Sequence, residues 1–254
     1  MTGRRVVTGV AGLCLGLVVW ELSARTQDTQ LFLPTVTAMG AAFWRALGTG
    51  EFWAAYGQTL VPFLYGWLLA VAVGVVAGLV IGRLVVMDKL SKPYVAFLNA
   101  LPVSTLVPLV VITLGIGIAA RTAVVFLFAV VEVLLTTAAG AREISRDLSE
   151  MARSFQATAW RRFRRVILPG ALPGILAGIR VGSARAVVGM VVMELLLVPV
   201  GVGLLLLRYK DTFRSAELYA LVVSLAIFGL ALQGLLRWME RRILSYRPEP
   251  WGEE

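Results

Sequence analysis

The chain has 254 residues, of which 59% are hydrophobic and 15% are charged, whereas a soluble domain usually has about 45–50% apolar and about 25% charged residues. This excess argues against a soluble domain and predicts a polytopic membrane protein. The chain has no histidine and one cysteine, which excludes Ser-His-Asp triads, most zinc sites and an intrachain disulfide.

Six apolar stretches approach the length of about 20 residues that a membrane-spanning helix needs. In chain order they are residues 6–22, 59–82, 103–118, 121–140, 173–198 and 217–237. The first resembles the apolar core of a signal peptide, but no convincing small-residue cleavage site follows it, which favours an uncleaved helix. The third is short and is interrupted by Pro108 and Gly115. We therefore predict an all-α fold, with one transmembrane domain over residues 1–254 and six transmembrane helices.

The distribution of Lys and Arg predicts how the chain is oriented in the membrane. These residues are concentrated in the segments on the same side of the six stretches as the N-terminus. Cytoplasmic loops of membrane proteins carry this excess, so we expect both termini and the polar segment 142–169 to lie in the cytoplasm. The net charge of +9 then reflects contact with a lipid bilayer, and no nucleic-acid partner is expected.

Glycines recur at four-residue spacing in two of the apolar stretches. One row is Gly66, Gly74, Gly78 and Gly82, and the other is Gly170, Gly174, Gly178 and Gly182. Residues four apart share a helix face, and small residues allow helices to approach closely in lipid. The rows predict close helix packing, with contact to a solute as the alternative.

Charged side chains inside membrane spans are rare and usually functional. Glu132 lies in the fourth stretch, where it needs either a partner or a proton. In the fifth stretch, Arg180 and Glu194 have a simpler interpretation, in which each side chain extends to the nearer membrane interface. The candidates for a solute path are Ser104, Thr105, Glu132, Thr136, Arg180, Ser183, Arg185 and Glu194.

The polar segment 142–169 lies between the fourth and fifth stretches and includes "EMARSFQATAWRRFRRVILP". Apolar residues recur at helical spacing in each half of the segment. Pro169 is expected to end the second helix, since proline disrupts a helix interior. The segment therefore predicts two short amphipathic helices joined near residues 156–158. Helices that lie on the membrane surface would satisfy this pattern equally well.

This segment resembles the signature loop of the membrane subunits of bacterial ATP-binding-cassette (ABC) importers. That signature is Glu-Ala-Ala, three residues, Gly, nine residues and Ile-x-Leu-Pro. Here Glu150 and the "VILP" of residues 166–169 keep the spacing, while Met151 replaces an Ala and Gln156 replaces the Gly. The stretches "NALPVSTLVPLVVITLGIG", "GILAGIRVGSARAVVGMVVMEL" and "GVGLLLL" follow the order seen in the nitrate, sulfonate, taurine and bicarbonate group of permeases.

The resemblance covers nearly the whole chain and implies a permease subunit with the type I importer fold. It implies import of a small solute by alternating access, with an anion such as a sulfonate, nitrate, bicarbonate or carboxylate as the expected cargo. The implied partners are ABC ATPase subunits, an extracytoplasmic substrate-binding protein and a second permease copy in a homodimer. The implied location is the inner membrane, as a multi-pass protein.

The resemblance also implies that the loop docks onto the ATPase. The residues expected at or near that contact are Glu150, Ala152, Ser154, Phe155, Gln156, Ala157, Trp160 and Arg161. The chain contains no Gly-Lys pair and therefore no phosphate-binding P-loop. We expect ATP and Mg²⁺ to bind to the partner, no cofactor or metal to bind to this chain, and the chain itself to be non-catalytic.

Two other functions remain open from the residues alone. An ion-coupled secondary transporter would use Glu132 as its proton carrier and would take up solute without a partner ATPase. A non-transporting membrane scaffold would use the basic segment to bind lipid, and no ATPase would co-purify with it.

Overall fold

The computed structural model describes residues 2–26, 32–196 and 199–245, and these residues form helices joined by short connections, with no strand among them. The helices are α1 (Thr2–Thr26), α2 (Val36–Leu47), α3 (Gly50–Arg83), α4 (Val85–Ala100), α5 (Val107–Leu114), α6 (Ile118–Arg142), α7 (Arg146–Ser154), α8 (Ala159–Arg162), α9 (Leu168–Leu196), α10 (Gly201–Asp211) and α11 (Ser215–Ile243). A 3₁₀ turn at Val103–Leu106 precedes α5, and a π-helical turn at Phe163–Ile167 joins α8 to α9.

Five helical segments of the described chain are long and apolar enough to cross a membrane. They are Val7–Thr26, Gly50–Arg83, Ile118–Arg142, Ala159–Leu196 and Ser215–Ile243. Each contains most or all of one predicted stretch, and several extend well beyond it. The all-α fold predicted from composition is confirmed for the described residues.

The predicted third span, residues 103–118, does not form a single helix. Its main regular α-helix is α5, of eight residues, and its last residue, Ile118, already begins α6. The chain from Val86 to Leu114 bends by 79° between residues 98 and 103. Pro102 explains the bend, because a residue before proline is driven out of the helical region, and Leu101 is extended (φ −72°, ψ 126°). Gly115, with φ of 73°, ends α5. This bent pair is a sixth span only when its two helices are taken together.

The chain divides into two compact units, residues 1–59 with 199–228 and residues 60–198 with 229–254. In the first unit, buried polar contacts join α3, α10 and α11. The Tyr56 hydroxyl lies 2.6 Å from the Ser224 hydroxyl, and the Thr59 hydroxyl accepts the backbone N–H of Val202 at 3.0 Å. The N–H at the start of α10 thus has a partner, which an unpaired helix end would lack.

In the second unit, α6 packs against both α3 and α9 through the two glycine rows, which meet adjoining faces of α6. A Cβ atom at Gly78 of α3 would lie 2.7 Å from the carbonyl oxygen of Leu134, and one at Gly174 of α9 would lie 2.6 Å from the Cα of Gly140. No side chain fits at such distances, so backbone touches backbone. The packing role predicted for the glycine rows is confirmed.

Candidate functional site

The polar segment between α6 and α9 contains two capped helices. The Ser145 hydroxyl accepts the N–H of Asp147 at 3.1 Å at the start of α7, and the Thr158 hydroxyl accepts the N–H of Arg161 at 3.3 Å at the start of α8. A hydroxyl at this position supplies a partner for a backbone N–H that the helix itself leaves unpaired. Both helix starts are therefore specified by local sequence.

Gln156 adopts the left-handed conformation, with φ of 51°, at the position where the importer signature has glycine. The N–H of Ala157 donates to the carbonyl oxygen of Ala152 at 3.1 Å. This six-to-one bond around a left-handed residue is the Schellman arrangement that ends many helices. The turn that glycine makes easily is thus made here by glutamine, at a cost of about 1–2 kcal/mol.

The second helix of the segment does not end at Pro169, which corrects the predicted boundary. The helix runs from Ala159 to Leu196 without a break, because the π-helical turn lies directly before the proline. In that turn the N–H of Leu168 donates to the carbonyl oxygen of Phe163, five residues back. A π turn widens the helix locally, which gives the proline ring room beside the preceding carbonyls. The segment's second half is therefore the first part of a long apolar helix.

Large apolar side chains on this segment face solvent. Phe155 is 81% exposed and Trp160 is 68% exposed, and Leu148 and Met151 on α7 are about half exposed. Exposed large apolar side chains concentrated on one short segment indicate an interaction surface. Of the residues expected at an ATPase contact, Glu150, Ser154, Gln156 and Arg161 are also exposed, whereas Ala152 and Ala157 are partly buried.

Three charged residues outside the predicted set connect this segment to α3 and α4. The Arg83 guanidinium donates to the carbonyl oxygens of Ala141 (3.4 Å) and Ile144 (3.5 Å) at the end of α6. Arg142 forms an ion pair with Asp88 of α4 at 2.5 Å. Carbonyls at a helix C-terminus need such donors, so the start of the segment is held by both neighbouring helices. The sequence showed these charges but not their pairing.

Glu132 of α6 and Arg185 of α9 form an ion pair, with Arg185 Nε 3.0 Å from Glu132 Oε1. Both line a cavity of about 220 Å³ together with Ser104 of the 3₁₀ turn. The remaining wall is apolar and consists of Leu98, Leu101, Val103, Leu127, Phe128 and Val131. Three of the eight predicted path residues are thus brought together at one place.

Arg180 and Ser183 lie elsewhere, at the contact between α9 and α11. The Gln233 side-chain amide donates to the carbonyl oxygen of Arg180 and to the Ser183 hydroxyl, both at 3.0 Å. The Arg180 guanidinium lies 3.6 Å from a carboxylate oxygen of Glu240. Ser183 is fully buried, so these two residues join helices in this conformation and do not line the cavity.

The other predicted path residues are also apart from the cavity that contains Glu132. Glu194 is 2% exposed and lines a second, smaller cavity with Arg121, Met190 and Met193. The Thr105 hydroxyl donates to the carbonyl oxygen of Pro102 within its own turn, at 2.7 Å. Thr136 packs beside Gly178 in the contact between α6 and α9.

Comparison with known proteins identifies a family. The family model described as "Binding-protein-dependent transport system inner membrane component" matches residues 70–245, a range that contains both the polar segment and the cavity with Glu132 and Arg185.

Several curated proteins are similar over most of their length. The riboflavin transport system permease protein RibX of Chloroflexus aurantiacus is 30% identical over 235 residues, which cover 92% of this chain and 88% of that protein. The putative aliphatic sulfonates transport permease protein SsuC of Bacillus subtilis is 26% identical, with 96% and 90% covered. The nitrate import permease protein NrtB of Leptolyngbya laminosa is 24% identical, with 95% and 88% covered.

Among solved structures, the fold is similar to that of a chain of the MetNI methionine ABC transporter in inward-facing conformations. The TM-score is 0.58 at 20% identity, and the match covers 81% of this chain and 97% of that chain.

Proposed function

The chain belongs to the family of binding-protein-dependent transport system inner membrane components, the multi-pass permease subunits of ABC importers, and we propose that a separate ATPase drives it through residues 142–169. Members of this family work with ATPase and binding-protein partners. Family membership decides against the ion-coupled secondary transporter and against the scaffold.

The turn at Gln156 is the observation that supports this proposal most directly. The left-handed backbone at Gln156 gives the segment the helix–turn–helix shape of the importer loop although the glycine is absent. The turn presents Phe155 and Trp160, both largely exposed, on the same short stretch of chain. Aromatic residues, Phe and Trp included, are enriched in protein interfaces relative to the rest of the surface.

The mechanical step follows from helix continuity. Because α8 continues into α9 without a break, a displacement of the docked segment is passed to the span rather than absorbed by a flexible loop. ATP binding at the partner shifts the permease between inward-open and outward-open states only if the partner binds those states with different affinity. ATP and Mg²⁺ bind to the ATPase, and this chain is non-catalytic.

In the assembly, the polar segment and both termini lie in the cytoplasm. The distribution of Lys and Arg supports this orientation. Two permease copies form a homodimer with ATPase subunits inside and a substrate-binding protein outside. The cargo is a small solute with an anionic group, such as a sulfonate, nitrate, bicarbonate or carboxylate. Arg185 in the cavity and the sulfonate and nitrate names of two relatives support this class.

Deletion of residues 154–158 tests the proposal, because it removes the turn and Phe155 while leaving the long helices intact. The wild-type chain is expected to retain its cognate ATPase through purification and to import solute only with ATP. The deletion variant is expected to lose the ATPase while its helix content remains unchanged by circular dichroism. Import by the purified chain alone in vesicles, or an ATPase retained by the deletion variant, would contradict the proposal.

A further inference from the structure

The ion pair between Glu132 and Arg185 is not needed to hold α6 and α9 together. Those helices pack through small residues, with Gly140 against Gly174 and with Gly178 and Gly182 against Val133. The ion pair lies at the edge of that contact, where the Arg185 side chain is 59% exposed and the Glu132 side chain 26%. A charged side chain in the middle of a membrane span raises the free energy of insertion, and such residues usually mark a solute or ion pathway.

The pair leaves most of its hydrogen-bonding capacity unused. A guanidinium has five N–H donors, and the contact with Glu132 uses the Nε–H. Among the described residues, no hydrogen bond joins the two terminal nitrogens of Arg185 to a protein group. A guanidinium edge of this kind matches the two oxygens of a carboxylate or sulfonate.

The cavity beside the pair is small and has polar and apolar sides. Its volume of about 220 Å³ is below the roughly 300–1,000 Å³ of sites for drug-sized ligands, so it suits a small molecule. Ser104 contributes a hydroxyl, while Phe128, Leu98 and Leu101 form an apolar side. Glu132 and Arg185 both line the cavity.

We propose that Glu132 and Arg185 form a solute subsite for small molecules that carry both an oxyanion group and a cationic or hydrogen-bond-donating group. Arg185 binds the oxyanion through its terminal nitrogens, and Glu132 accepts from the donor group. In the empty permease the two side chains neutralise each other, which lowers the cost of two charges in the span. The bound solute provides each of them with a further partner of opposite charge or matching hydrogen-bonding character. This inference depends on the proposed function.

Two sulfonates test the subsite, because they share an oxyanion and differ in one amino group. The probes are 2-aminoethanesulfonate and ethanesulfonate, added at about millimolar concentration to the permease–ATPase complex in lipid nanodiscs. Binding is measured as a shift in Tm and by calorimetry. Both probes are expected to bind the wild type, with 2-aminoethanesulfonate the tighter of the two.

The variants give opposite results for the two residues. Arg185→Gln is expected to lower the affinity for both probes by about 10- to 100-fold, since it removes a charged hydrogen-bond donor. Glu132→Gln is expected to raise the affinity for ethanesulfonate, because the Glu132 carboxylate no longer competes with the sulfonate for Arg185. The same variant is expected to lose the preference for the probe with the amino group. Arg180→Gln, whose side chain lies at the α9–α11 contact, is the matched control and is expected to change neither affinity.

Two results would overturn the subsite: no binding of either probe by the wild type, or unchanged affinities in Arg185→Gln. An ion pair with a purely structural role would lower Tm in both variants without changing the preference between probes. Retention of the ATPase is measured in the same preparations. Loss of the ATPase from the wild type contradicts the proposed function, whereas retained ATPase without probe binding contradicts the subsite alone.

Discussion

Gly140 of α6 and Gly174 of α9 lie so close together that a Cβ atom on either residue would be 2.6 Å from the Cα atom of the other. The contact is therefore made by two backbones, and neither helix can carry a side chain there without moving away. The same close approach recurs along α3, where a Cβ atom at Gly82 would lie 2.6 Å from the carbonyl oxygen of Ala138.

Gly174→Ala is expected to destabilise the permease by about 1–3 kcal/mol, because the added methyl group overpacks a contact with no free space. The measurement is Tm of the purified protein in detergent. Gly229→Ala in α11 is the control, since a Cβ atom there has no neighbour within 4 Å and alanine favours the helix. Equal changes in Tm for the two variants would show that the contact between α6 and α9 is looser than described.

Gln156→Gly is expected to stabilise the turn by about 1 kcal/mol, since glycine adopts positive φ without steric cost. Gln156→Val is expected to destabilise it, because a β-branched residue is strained at φ of 51°. The affinity for the ATPase is measured by titration of the detergent-solubilised permease. It is expected to be at least as high for Gln156→Gly as for wild type, and lowest for Gln156→Val. Asn tolerates this conformation and serves as the control. A Val variant that binds like wild type would place the turn outside the interface.

Phe155→Ala and Trp160→Ala are expected to weaken ATPase binding by about 10- to 100-fold each, since burial of a large apolar side chain contributes about 1.5–3 kcal/mol. Both side chains are mostly exposed in the isolated chain, so the free energy of unfolding without the ATPase is expected to stay within about 0.5 kcal/mol of wild type. Trp238→Ala on α11, where Trp238 is 57% exposed, is the matched control. If all three variants bind the ATPase equally, the segment does not form the interface.

Tyr56→Phe and Ser224→Ala are expected to lower the free energy of unfolding by unequal amounts, although both break the same hydrogen bond. The Ser224 hydroxyl donates to the carbonyl oxygen of Leu221 at 2.6 Å, so it accepts from Tyr56 and keeps its own bond in Tyr56→Phe. That change is expected to cost about 1 kcal/mol. Ser224→Ala leaves the buried Tyr56 hydroxyl without its acceptor and is expected to cost up to about 3 kcal/mol. Equal losses in Tm would mean that Tyr56 finds another acceptor.

Apolar length, the glycine spacing and the loop signature were sufficient to predict the helical class, the close packing of two helices and the position of the polar segment. These features depend on residues near one another in sequence. The π turn before Pro169 was not predicted, because proline in a helix is disruptive on average and no local sequence pattern marks a π turn. The bend at Pro102 was missed for a related reason: the sequence marks an interruption but not its angle.

The candidate site was less predictable than the fold. Glu132 and Arg185 are 53 residues apart, and no local pattern shows that they meet, whereas Arg180, five residues from Arg185, pairs with Glu240 instead. On a helix of 3.6 residues per turn, a small difference in position points two arginines toward different neighbours. Pairing between distant segments requires the three-dimensional arrangement of helices.

Glycine contacts pack α3 and α9 against adjoining faces of α6, where Val133 and Thr137 each lie against a glycine of both helices. If these helices slid or rotated against one another, their backbones would overlap sterically. We therefore expect the three helices to move as one rigid body. Conformational change in this unit is then expected at the bend before Pro102 and at Gly115 and Gly117. A Cβ atom at either glycine would have no neighbour within 4 Å. Opening and closing of the permeation route should therefore be concentrated around α4 and α5.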